Sequence, residues 1–402
     1  MFDAINAGHA GMAAFSQGLS NISNNVSNLN TTGFKRSALG FHELLTRQDA
    51  YLGTVGNGVA AGSPHKVMTQ GEMRSTGNAL DAAIDGSGYF ILQDAQDQRY
   101  TRDGSFEFDS RGLLVGAQSG LPVLAYGNGG GIGPVSLAPL RSVAGVATTL
   151  LRFEGSLSTS DSDRSHTIAG IVLFDALGAQ HAATITFVDS TDPLVTTSEH
   201  TWDFTLADDS NRPLASGTLA FGADGSPNPG SDKISFAWNS PGNPAHTVTL
   251  DFGAPGQFGG LTSFSMGTQS TAALAASDGS ASGALISTVF GADGSITAQY
   301  SNGQTRRLGH LALAFFAHPQ DLAAREFNLF SAGAAGEPLV GRPGSGVFGR
   351  LAGGRIEASN VDLTSEFSEL ITVQRGFQGA SQVVSTANEM TEHLLQSLGG
   401  RR

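Results

Sequence analysis

At each end of this chain apolar residues return every seven positions, and that spacing restricts the fold more than any other feature. Ile5, Met12, Leu19 and Val26 recur at sevens, and Gly8, Phe15, Ile22 and Leu29 follow each of them by three. Two interleaved sevens make an a/d seam, the pattern of a helix packed on another helix. The C-terminal end repeats the device with Leu363, Leu370, Phe377, Val384, Thr391 and Leu398, interleaved with Val373, Ala380, Ala387 and Leu394. A helix from Leu363 to Leu398 extends roughly 54 Å at 1.5 Å per residue. Asn360 or Asp362 suits its N-cap, Glu366 and Glu369 suit the positive end of its dipole, and Gly399-Gly400 ends it. At the N-terminal end, Thr31-Thr32-Gly33-Phe34 reads as a stop, with Gly33 left-handed at C′ and Phe34 folded back on Leu29.

Both helices are burdened. Asn21, Asn24, Asn25, Asn28 and Asn30 each cost up to about 0.7 kcal/mol against Ala, and Gly376 and Gly379 cost near 1 kcal/mol each. Apolar residues also lie outside the seams: Phe2, Phe367, Ile371, Val383, Met390 and Leu395. A two-helix hairpin closing on itself is one reading of such ends. Helices this handicapped, with apolar surface to spare, favour another, in which neighbouring copies of the chain complete the packing. The expected self-assembly residues are Ile5, Met12, Phe15, Leu19, Ile22, Val26, Leu29, Leu363, Leu370, Val373, Phe377, Ala380, Val384, Ala387, Leu394 and Leu398.

Between the ends the period falls to two. Residues 83–92, 99–108, 184–188, 201–206 and 246–252 alternate as strands do, and Asp-Gly or Asn-Gly pairs at Asp85, Asp103, Asp224, Asp278, Asp293 and Asn302 suit hairpin turns. The hexapeptide 221–226 recurs at 290–295, one turn used twice. A Gly-rich stretch at 127–134 and a small, polar one at 269–283 suggest boundaries, so that 146–279 reads as an inserted β domain.

Composition removes most chemistry. Net charge is −13 and the basic pairs Lys35-Arg36, Arg306-Arg307 and Arg401-Arg402 stand isolated, so a nucleic-acid partner is not expected. Cysteine is absent, which rules out disulfides, thiolate metal sites and Cys nucleophiles. The ten histidines form no metal-binding pair, and neither a nucleophile elbow nor a phosphate loop is present. Asp161/Asp163 and Asp208/Asp209 lack the ligand pattern of a Ca²⁺ loop and read as solvated turns. Trp202 and Trp238 read as core rather than as a sugar platform. No catalytic residue, cofactor or metal is expected. No run of 18 apolar residues spans a membrane, and the first residues lack the charged and apolar regions of a conventional signal peptide.

The ends are also recognisable. Asn21-Ile22-Ser23-Asn24-Asn25-Val26-Ser27-Asn28-Leu29-Asn30-Thr31-Thr32-Gly33-Phe34-Lys35-Arg36 resembles the N-terminal signature of bacterial flagellar rod and hook proteins. Residues 351–362, then Leu363-Thr364-Ser365-Glu366-Phe367 and Gln374-Arg375-Gly376-Phe377-Gln378, resemble their C-terminal signature. Gly86-Ser87-Gly88-Tyr89-Phe90 and Tyr100-Thr101-Arg102-Asp103-Gly104 are similar to the family's β domain. The large insertion points to the hook type, with distal rod as the alternative and an all-β surface binding module as a further one. Gly376 and Gly379 depart from the family pattern, which usually has better helix formers there.

The resemblance implies a non-enzymatic subunit of the flagellar hook that polymerises with itself into a hollow, flexible helical tube carrying torque from rod to filament. It implies rod, hook-cap and hook–filament junction proteins and the flagellar type III export apparatus as partners. It also implies an extracellular place in the flagellum, reached without a cleaved signal. The expected fold is α+β: 1–33 with 360–402 as a coiled-coil-like helical core domain, and two mainly-β domains between, sandwich- or barrel-like. These are a discontinuous inner one (34–145 with 280–359) and the inserted outer one (146–279).

Overall fold

The computed structural model describes residues 2–49, 53–95, 97–127, 129–191, 199–239, 244–265, 267 and 269–399 of the 402. Asn128 and residues 400–402 fall outside the described residues, as do the side chains of Phe2 and Leu398.

Two α-helices occupy the ends, α1 (Phe2–Ser27) and α2 (Leu363–Gly399). α1 stops six residues before Gly33, at a run of Asn residues whose side chains compete with the helix for backbone groups. Asn28 donates its side-chain amide to Asn24 O at 2.9 Å, and the Asn28 N–H is shared between Asn24 O and Asn25 O. Gly33 is left-handed as expected (φ 67°), but its N–H goes to Glu357 O at 2.8 Å rather than closing the helix. Leu29 therefore lies beyond the helix. At α2, Asp362 is the cap: its carboxylate accepts the Ser365 N–H (3.0 Å) and the Ser365 hydroxyl (2.7 Å).

The expected α+β fold with a coiled-coil-like helical core domain is corrected by the structure, which is mostly β, with α-helix only at the two termini. Among the described residues, three clusters of buried apolar side chains make up the cores, and none contains a residue of α1 or α2. The physical reason lies in the helix seams, where glycine and alanine take positions that a helical core fills with leucine.

The chain divides into two compact units. The first comprises residues 1–139, 287–298 and 306–402. Its six-stranded antiparallel sheet runs in the order Ala323–Ala324, Leu329–Ser331, Asp97–Thr101, Tyr89–Asp94, Leu313–Phe315, Leu339–Gly341. Phe90, Phe106 and Phe290 pack edge to face on one side, and Tyr89, Tyr100 and Phe316 on another. Just before α2 the chain returns to the start of this unit: Arg350–Gly353 pairs with Ala82–Asp85, and Arg355–Glu357 with Met73–Ser75. A hairpin of Phe41–Asp49 and Gly53–Ala61 lies along α1. The ring of Phe41 sits 5.7 Å from Phe15, and Gly58 backs onto Ala7.

The second unit, residues 140–286 with 299–305, is a β-sandwich. The expected insertion 146–279 falls inside it. One sheet is a four-stranded antiparallel meander, Ser165–Phe174, Gln180–Asp189, His200–Asp208 and Pro213–Phe221. In the other, Leu150–Ser158 runs parallel to both His246–Asp251 and Leu261–Phe264. Phe153, Phe187, Phe204 and Phe252 fill the space between. Both tryptophans belong to this core: Trp202 is fully buried, its Nε1 donating to Ser263 Oγ at 3.2 Å, and Trp238 is 5 % exposed.

Candidate assembly surface

α1 and α2 lie antiparallel in a register that four contacts define. A Cβ placed on Gly8 would meet Val384, one on Gly11 would meet Ala380, one on Gly18 would meet Val373, and one on Gly376 would meet the Phe15 ring at 2.6 Å. Paired residue numbers sum to about 391 throughout. The α1 seam is thus Gly8, Gly11, Phe15, Gly18, Ile22 and Asn25, the expected d positions joined by a second set one turn on. Ile5, Met12, Leu19 and Val26, expected in the seam, are half-buried on its flank. Small residues let the two backbones approach closely, and Phe15 fills the space over Gly376.

On α2, Val373, Val384 and Ala387 are buried and Ala380 is half-buried, facing α1. Leu363 and Leu370 are half-covered, whereas Phe377 and Leu394 are exposed at 36 % and 48 %. The register explains Leu394. A residue beyond about 389 would need a partner before Phe2, so the last turns of α2 run past the end of α1. Leu394, Leu395 and Met390 are exposed there, Phe367 and Val383 are exposed on the flanks alongside α1, and Ile371 is exposed on the side away from α1. A polar stripe of Arg375, Gln382, Thr386, Glu389 and His393 runs between those flanks on the side away from α1. An isolated copy therefore leaves seven large apolar side chains of one helix at least a third exposed to water.

The roots of the helices are tied by charge. Asn25, 1 % exposed inside α1, accepts the Ser37 N–H and donates to Ser37 O, both at 2.9 Å, as a strand would. Its amide also reaches Glu366 in the first turn of α2 (3.1 Å). Arg36 bridges to Glu366 (2.7 Å) and Glu369 (3.1 Å). Asn360, offered as a cap, instead accepts the Arg36 N–H at 2.7 Å and donates to Val67 O at 2.8 Å. Lys35 pairs with the buried Glu357 at 2.5 Å, and Arg102 takes the other carboxylate oxygen at 3.3 Å. Burial lowers the Lys35 ammonium from the ordinary lysine value, with Glu357 pulling the other way.

The pair Lys35-Arg36 is thus matched by carboxylates. Each of its carboxylates lies more than 300 residues away, which is why spacing gave no sign of them. The hairpin at residues 41–61 was also missed. Two register shifts break its alternation around Leu45. Asp161 and Asp208 bind their own turns: Asp161 takes the Asp163 and Ser270 N–H groups, and Asp208 takes those of Ser210 and Arg212.

Four family models match. The flagella basal body rod protein model covers residues 5–35, and the flagellar hook protein FlgE/F/G D1 domain covers 83–138. The flagellar basal body protein FlaE D2 domain covers 156–306, and the flagellar basal body rod FlgEFG protein C-terminal covers 352–397. Flagellar hook proteins of Escherichia coli K12 and Salmonella typhimurium are each 30 % identical over 96 % of this chain and 98 % of their own. Among solved structures, a Helicobacter pylori flagellar hook protein is similar over 72 % of this chain and all of its own, with a TM-score of 0.49 and 12 % identity.

Proposed function

Since the chain belongs to the flagellar hook protein family, we propose that its terminal helix pair is what joins one copy to the next. The protein is a structural subunit of the bacterial flagellar hook. The proposal concerns which residues assemble it and how. α1 and α2 pack together from the Gly8–Val384 contact to the Gly18–Val373 contact but leave Phe367, Ile371, Phe377, Val383, Met390, Leu394 and Leu395 exposed. That uncovered apolar surface on a long helix carries the reading. Burying each such side chain contributes about 1.5–3 kcal/mol. A contact between two different faces does not close on itself and so propagates as a helical filament. With the flanks buried between copies, the polar stripe from Arg375 to His393 lines a water-filled bore.

The finer parts of the reading follow from this arrangement. Within the self-assembly set expected from the sequence, Phe15, Ile22, Val373, Ala380, Val384 and Ala387 serve packing within one copy, and the exposed Phe377 and Leu394 serve contact with another. Residues 146–279 act as a separable domain that tunes the mechanics of a torque-bearing tube. Rod, cap and junction proteins meet the ends of that tube, and export delivers the subunits. Electron microscopy of the purified, salt-precipitated chain is the test. Hollow tubes are expected, whereas amorphous aggregate or a dispersed monomer under every polymerising condition would overturn the proposal.

A further inference from the structure

Lys35, Arg102 and Glu357 place two buried cations on one buried carboxylate, and no part of the assembly reading uses them. Their side chains are 1 %, 7 % and 0 % exposed. Lys35 follows α1, Arg102 follows the strand Asp97–Thr101, and Glu357 ends Arg355–Glu357, 322 and 255 residues from its two partners. Glu357 Oε1 accepts from Lys35 Nζ and from the Gly71 N–H (2.9 Å), and Oε2 accepts from Arg102. Without that carboxylate the cations keep no anion: Thr69 O remains for Lys35, and Gly86 O, Ile84 O and the face of Tyr89 for Arg102. Carbonyl groups solvate a charge but do not neutralise it, and an unpaired cation in a protein interior is far more costly than a paired one.

The order in which the triad's members appear along the chain is the informative point. Tyr89–Asp94 and Asp97–Thr101 form a local hairpin, which low contact order favours as an early element. Closing the body around that hairpin buries Arg102 under Gly86 and over the Tyr89 ring, 5.0 Å away. We propose that the triad is a completion gate: the first unit stays open around Lys35 and Arg102 until residues 355–357 dock, so an incomplete chain does not close its body. The gate rests on these contacts alone and stands whether or not the exposed flank of α2 joins copies.

Pulse-labelled hydrogen exchange during refolding of the full-length chain tests it. In the parent, protection of the local hairpin at residues 89–101 arises in the same kinetic phase as protection of Arg355–Glu357. Lys35→Met with Arg102→Met and Glu357→Met removes all three charges and leaves every strand in place. In that variant the hairpin becomes protected at least about tenfold sooner than Arg355–Glu357, as local topology dictates. At equilibrium, Glu357→Gln, which keeps shape and strand, lowers protection of residues 89–101 by about a hundredfold and leaves Gln180–Asp189 in the second unit unchanged. A parent hairpin protected ahead of Arg355–Glu357 overturns the gate, and that result needs no variant. Parental protection of residues 89–101 in Glu357→Gln overturns it as well.

Discussion

Single residues in the helix pair show how the same amino-acid type serves opposite ends. Gly376 and Gly379 look alike as helix weaknesses, yet a Cβ at Gly376 strikes the Phe15 ring while one at Gly379 meets nothing within 4 Å. Phe15 has little room to withdraw, because Phe41 stands behind it at 5.7 Å. Gly379→Ala is expected to gain about 1 kcal/mol of helix propensity and to raise the helical circular-dichroism signal of the monomer. Gly376→Ala gains the same propensity but forces the pair apart at a cost of about 1–3 kcal/mol, and the signal falls. Equal behaviour of the two variants contradicts the register. Asn25 makes a similar point from the polar side. In the sequence it is one of five poor helix formers, and in the fold it completes a backbone pairing with Ser37 and reaches Glu366. A propensity scale prices the residue in an isolated helix and knows nothing of such a partner.

At the level of elements, the turns were the most legible part of the chain. Phe221-Gly222-Ala223-Asp224-Gly225-Ser226 and its repeat at 290–295 form the same turn. In each, the aspartate takes the N–H and hydroxyl of the serine, and the second glycine is left-handed (φ 79° and 80°). Not every Asp-Gly pair behaves this way. Gly104 has no positive φ and sits against Ala82 O, and Asp278 instead fastens the N–H groups of Thr149 and Leu150. Strands at residues 180–189 and 200–208 showed their alternation because each buries one face, whereas Ala82–Asp85 and Tyr89–Asp94 bury successive residues. Half of the α1 seam was legible in Gly8, Phe15 and Ile22, but its other positions hold Gly11, Gly18 and Asn25, which a count of apolar residues passes over. Turn chemistry also sets a pH dependence. Backbone N–H donors hold Asp109 (from Leu113), Asp161 (from Asp163), Asp208 (from Arg212) and Asp224 (from Ser226) below the usual carboxylate range. A depressed folded-state pKa stabilises the fold above the unfolded value, about 3.9, and that stability is lost as pH falls through the folded value. Thermal melts should therefore hold level from neutral pH down to about 4 and fall steeply below it. A Tm that rises on acidification through that window contradicts the turn assignments.

The whole molecule joins a helix pair with exposed apolar flanks to β units that carry the buried cores. The second unit supplies its own core, and Val146 and Ser280 face each other across two 2.9 Å backbone hydrogen bonds. Paired residues of this kind stand about 5.5 Å apart, so a Gly-Ser link in place of residues 147–279 closes without strain. Such a chain is expected to polymerise and to differ from the parent in bending stiffness, read by filament curvature in electron micrographs. Loss of all assembly in a soluble, folded variant contradicts the separability of that unit. The central claim, that the exposed apolar flanks of α2 join copies, is tested most directly by sedimentation of Val383→Asp under polymerising conditions. Val383 is 49 % exposed on a flank and Gln382 is exposed on the polar stripe of the same helix, so Gln382→Asp is the matched control. Val383→Asp is expected to keep the parental circular dichroism yet stay in the supernatant, while Gln382→Asp pellets as tubes. Tubes formed by Val383→Asp in parental yield would contradict that claim.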